Sequence, residues 1–127
     1  MTTNPSPQEL AHAAAEAIRD LNHATQSFKR ELTYPSDAYE TVASLKALTQ
    51  RLPQTFDQLR EFLETLDKSG AVTADYGTPD DHLAEARSAL ASCALIAQTL
   101  TDFLDHTHNA LAPLGFDTAT ADMTKEH

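Results

Sequence analysis

Between Leu83 and Leu111, apolar or small side chains recur at Leu83, Ala86, Leu90, Cys93, Ala97, Leu100, Leu104 and Leu111. These steps of three, four and seven keep them on one face of an α-helix. Two earlier segments share the rhythm. One carries Leu10, Ala14, Ala17, Ile18, Leu21, Ala24, Phe28 and Leu32, the other Ala38, Val42, Leu45, Leu48, Leu52, Phe56, Leu59, Leu63 and Leu66. No strand-like alternation competes, so the pattern predicts an all-α chain built as an up-down-up antiparallel three-helix bundle with long helices.

Local signals set the expected boundaries. Ser6-Pro7-Gln8-Glu9 combines a cap, a proline suited to the first helical position and a glutamate that can reach back, so helix one is expected over about 7–32. Pro35 discourages helix at Tyr34, and Ser36 or Asp37 can cap a second helix over about 36–67, with a short connection forcing a hairpin. The apolar register continues across Pro53, which favours one helix kinked there over two. Gly70 suits a left-handed stop. Thr78-Pro79-Asp80-Asp81 repeats the start signal, and the third helix is expected to reach Ala112 before Pro113 and Gly115. The resulting division is a disordered leader over 1–6, one helical-bundle domain over 7–113 and a flexible tail over 114–127, with Leu114 and Phe116 folding back over the bundle end.

At 127 residues the chain is long enough for a single core without staples. It has no apolar run of membrane-spanning length, and its start lacks a Sec-type signal, so a cytoplasmic location is expected. The net charge of −10 argues against direct binding of nucleic acid or anionic lipid. The acidity is uneven: residues 71–127 hold nine acids and two bases, with Asp75, Asp80, Asp81 and Glu85 forming a candidate acidic patch. Cys93 is the single cysteine, which excludes an intramolecular disulfide and predicts a small packed hydrophobe.

Candidate chemistry is sparse. Glu9-x-x-His12, Asp20-x-x-His23 and Asp105-x-x-His108 have the spacing of fragments of a carboxylate-bridged metal site. In an up-down-up bundle, however, His12 and His108 lie at opposite ends of parallel rods, so no metal site is expected. Asp102 and His106 are one turn apart and suit a helix-end ion pair. The three glycines are scattered, so no phosphate loop exists. Neither a catalytic set nor a cofactor site is assigned.

Two resemblances attach to particular residues. Around Tyr34-Pro35-Ser36-Asp37 and Gln50-Arg51-Leu52-Pro53-Gln54 the chain resembles small uncharacterised all-helical proteins of actinomycetes, some from mobile elements, which implies a cytoplasmic accessory role. Tyr76-Gly77-Thr78-Pro79-Asp80 is similar to the Tyr-x-x-x-Asp signal of WXG100-type secreted hairpins, which implies export by a type VII system. The chain departs from that family's pattern: it has no tryptophan, Tyr34-Pro35-Ser36 stands at the turn, and a third long helix follows the signal. The WXG100 reading therefore ranks lower.

The segment from Ser88 to Thr101 holds no charged residue, and its apolar residues spread around much of the circumference, wider than two neighbouring helices need. Ala91, Leu95 and Ile96 are the candidate interface, to be covered by a second copy, by another protein or by a fourth helical piece from residues 114–127. The alternative is a monomer in which this helix is the central rod. A non-enzymatic interaction protein is the preferred function, acting as homodimer or accessory subunit. An acidic decoy of a nucleic-acid-binding protein is the second class.

Overall fold

The computed structural model describes residues 4–125, with side chains through Ala121; residues 1–3 of the expected leader lie outside the described residues. The element order is α1 (Pro7–Ala24), a 3₁₀ turn (Ser27–Lys29), α2 (Pro35–Ser69), α3 (Pro79–Leu111) and α4 (Thr118–Lys125). No strand occurs among the described residues, and no helix there is long and apolar enough to cross a membrane.

The starts follow the chemistry of the caps. In α1 the Glu9 N–H donates to Ser6 Oγ at 3.1 Å, and the Ser6 N–H reaches Glu9 Oε1 at 3.5 Å. The N–H groups of Thr33 and Tyr34 both donate to Asp37 Oδ2 at 2.9 Å, which tethers the start of α2. Thr78 Oγ1 accepts from the Asp81 N–H at 3.1 Å as α3 begins. Each satisfies donors that a helix leaves unpaired. Gly70 ends α2 in the left-handed region, φ 67°, where a glycine escapes the Cβ clash. Gly77 has the same φ, and a Cβ there would stand 3.1 Å from the His82 ring.

The expected first helix is too long: α1 stops at Ala24, eight residues short of Leu32. Thr25 is its C-cap, with its N–H and its hydroxyl both donating to the Leu21 carbonyl at 2.9 Å. Arg30 then takes a left-handed conformation, φ 55°. The link to α2 is thus ten residues, not a tight turn. Phe28 and Leu32 leave the stripe and are exposed.

Only α2 and α3 pack along their length. Lys46 faces Asp105, Thr49 faces Thr101, Tyr39 stacks on His108, and Asp67 faces Arg87. Rising numbers on one helix meet falling numbers on the other, so the pair is antiparallel. The seam runs through Lys46, Thr49, Pro53, Phe56, Arg60, Leu63 and Asp67 of α2, and through Leu83, Arg87, Leu90, Ala94, Ala97, Thr101, Leu104, His108 and Leu111 of α3. All are at least half-buried, at the spacing of a two-helix coil. Pro53 lies within one continuous helix. The stripe expected on α3 is therefore rotated: Ala94 and Thr101 belong to the seam, whereas Ala86, Cys93 and Leu100 do not.

Beyond α3, Phe116 folds back and meets the Tyr34 ring edge-on, centroids 5.2 Å apart. Leu114 stays exposed. Asp117 accepts from the N–H groups of Ala119 and Thr120 and from the Thr120 hydroxyl, starting α4 within the segment expected as a tail.

Candidate protein-interaction face

One position before each seam residue lies a second stripe. On α2 it reads Leu45, Leu48, Leu52, Thr55, Leu59, Phe62 and Leu66, and on α3 Ala89, Cys93, Ile96, Leu100, Phe103 and Thr107. Two antiparallel helices are related by a local two-fold axis normal to their common plane. Positions with the same offset from the seam therefore fall on the same side of the hairpin, about 100° from the seam on each helix. The two stripes form one apolar face. Ile96 and Phe103 are each 67% exposed, Phe62 57%, Leu100 47% and Leu59 46%.

The opposite side, one position after the seam, is more polar, though Ala47, Ala84 and Ala112 also lie on it. It carries Gln50, Gln54, Asp57, Glu61, Glu64 and Lys68 on α2, and Gln98, Asp102, Asp105 and Asn109 on α3. This divides the candidate interface residues. Ile96 lies on the apolar face, while Leu95, equally exposed at 65%, sits on the polar side with the half-buried Ala91. Cys93 is not packed inside as expected. It is exposed, because the seam passes through Leu90, Ala94 and Ala97 and leaves it one position off. Leu59, Phe62, Leu100 and Phe103 were not singled out as interface residues; two heptads running one position out of phase were the available signal.

At the near end of the face, α1 approaches. Ala17, Ile18 and Leu21 line a cavity of about 540 Å³ with Thr41, Leu45 and Leu48. The rest of α1 covers little, and Leu10 is 57% exposed.

The polar groups have structural employment. Lys46 Nζ donates to Asp105 Oδ1 at 2.6 Å, and this ammonium holds the Asp105 carboxyl below its ordinary value. Two backbone N–H groups hold Asp37 low in the same way. At the other end, hydrogen bonding between Asp80 and Asp67 raises Asp80, and their mutual repulsion adds to the shift, while Arg87 stands 3.6 Å from Asp67. The four candidate acids, Asp75, Asp80, Asp81 and Glu85, are all exposed near that end. His82 donates from Nε2 to the Tyr76 carbonyl at 2.9 Å and meets the Tyr76 ring edge-on. Of the metal-like motifs, Glu9 serves a cap, Asp105 an ion pair and His108 an aromatic stack. Among the described residues, no three His, Cys, Asp or Glu side chains are grouped to hold a metal ion.

No family model, curated protein or solved structure matches the chain.

Proposed function

We propose that this chain acts by binding protein, as a cytoplasmic homodimer or the accessory subunit of a complex, and not by catalysis. The observation that carries this reading is the apolar face of the α2–α3 hairpin. Five large side chains, Leu59, Phe62, Ile96, Leu100 and Phe103, are nearly half exposed or more, while no large side chain among the described residues is fully buried. Burying each such residue contributes about 1.5–3 kcal/mol, and a contiguous patch of this kind marks an interaction surface. The up-down-up packing belongs to the same reading, with α1 held beside Leu45 and Leu48 and leaving Ile96, Leu100 and Phe103 exposed. The acidic-decoy reading stands second; it is supported by Asp75, Asp80, Asp81 and Glu85, all exposed near one end of the hairpin.

The test is a photo-crosslinking side chain placed at position 96 or at position 95 and expressed in cells. Adducts of defined mass are expected from position 96 and not from position 95. Absence of adducts at both, or equal yields, would remove the reading.

A further inference from the structure

We infer that α1 is a hinged lid, which swings from α2 onto the near half of the apolar face, over Ile96, Leu100 and Phe103, and competes there with the protein that the face binds; this regulation rests on the binding role proposed above. Three observations lead there. The first is that α1 is complete as a helix while its apolar side goes unused. The Ser6 and Glu9 capping box and the Thr25 cap close its two ends, so the groups a helix end leaves unpaired are satisfied locally. Yet no residue of α1 is buried, and Leu10, Ala14 and Ala17 of its stripe are exposed.

The second is the hinge. Residues 25–34 join α1 to α2, and the far end of this link is fixed: Asp37 holds the Thr33 and Tyr34 N–H groups, and Phe116 meets the Tyr34 ring. Before that point Phe28 and Leu32 are exposed, and the three-residue 3₁₀ turn is the only regular structure in the link. A segment with so little packed against it opens at low cost. The pivot lies in residues 25–32.

The third is register. Ile18 and Leu21 stand across the cavity from Leu45 and Leu48. Laid antiparallel to α2 from that contact, α1 brings Ala14 level with Leu52 and Leu10 level with Thr55. The stripe from Leu10 to Leu21 is about 16 Å long and the stretch from Leu45 to Thr55 about 15 Å, so the two match. Because Thr49 faces Thr101 and Lys46 faces Asp105, that level of the hairpin also holds Ile96, Leu100 and Phe103. Closure replaces the cavity with contact and buries these side chains against Leu10, Ala14 and Ile18. The link keeps the lid at an effective concentration in the millimolar range, which no free cover of the near half matches. Leu59 and Phe62, on the far half, lie beyond its reach.

The test uses the full chain carrying Cys93→Ser. In it, Ala14→Cys with Leu100→Cys should form an intramolecular disulfide about tenfold faster than Ala14→Cys with Gln98→Cys on the polar side, because only closure brings a pair of Cα atoms within the ~7 Å that the bond needs. Oxidising the first pair should abolish photo-crosslinking from position 96 and spare that from position 62, and reduction should restore it. In the chain without added cysteines, Leu10→Glu should raise the yield from position 96 at least about twofold, since a lid shut most of the time leaves fewer than half of the molecules open. The yield from position 62 and the helical circular dichroism should not change. Leu10 is exposed, and the disulfide arm does not depend on that variant. Equal rates for the two cysteine pairs, a disulfide formed between two chains, or yields at positions 96 and 62 that respond alike would each overturn the inference. If the Leu100 pair closes preferentially and neither position gives an adduct with any protein, the binding role falls and the closure of α1 stands.

Discussion

The seam between α2 and α3 and the face beside it have the same helical spacing but opposite composition. The seam, closed by the chain on itself, contains Lys46, Thr49, Arg60, Asp67, Arg87, Thr101 and His108 among its leucines and alanines. The face contains the half-buried Leu48 and Leu52 and the exposed Leu59, Phe62, Ile96, Leu100 and Phe103. Hydrophobicity alone would have closed the pair the other way round. Paired polar groups define a register, since a buried hydroxyl or charge without its partner is costly, whereas leucines tolerate many arrangements. The seam supplies alignment, and the face leaves large apolar side chains exposed.

The strongest way to break this contrast is to enlarge the small residues that let the helices close. Ala97 is 5% exposed and Ala94 7%. Ala97→Leu should force the seam apart and cost about 1–3 kcal/mol, read as a lower thermal midpoint. A midpoint unchanged or raised would mean that the seam has room for the larger side chain.

A smaller effect is expected across the hydroxyl pair. Thr49 and Thr101 meet at 2.8 Å, and each hydroxyl is also close to a carbonyl of its own helix. Thr49→Val should cost about 0.5–1.5 kcal/mol, and Thr101→Val added to it should cost less than Thr101→Val alone, because the bond between the two hydroxyls is then already lost. Additive losses in denaturant titrations would show that the two hydroxyls do not interact.

Acid should separate the two ends of the hairpin. Asp105 and Asp37 have folded values below their ordinary one. Their contribution is present above the unfolded value, near 3.8, and is lost as pH falls through the lower folded values. Asp80 is raised by Asp67. Its contribution is present below the unfolded value and is lost as pH rises through the folded one. Acidification should therefore loosen the end holding Lys46 and Asp105 before the end holding Asp67 and Asp80. Amide exchange corrected for intrinsic rates would resolve the two, and simultaneous opening would contradict the assignment. The exposed pair of Lys68 and Glu64, 3.4 Å apart, should matter least. Lys68→Ala should change stability by under about 0.5 kcal/mol, and a greater loss in the same titrations would mark that surface as more than solvated.

Much of the architecture was legible because its signals are local. Ser6 with Glu9, Asp37, Thr78 and Gly70 mark ends through hydrogen bonds and dihedral preferences that need no distant partner. The 3.6-residue period identifies helices through the same short-range geometry. The end of α1 was less legible, since a periodic stripe through Phe28 and Leu32 promises helix only if something packs against it. Phe28 and Leu32 are both exposed, so that packing is not made.

The sequence by itself determined that the chain is helical, that long apolar stripes exist, and that Ser88–Thr101 is uncharged, all of which follow from residue type and spacing along one chain. Tertiary structure alone decided which of two neighbouring stripes became the seam, and so which side of the hairpin received Ile96 and which Leu95. One helical step turns a side chain by about 100°. The choice between adjacent stripes rests on contacts between residues more than fifty positions apart, Thr49 with Thr101 and Lys46 with Asp105, and such contacts exist only once the two helices have met.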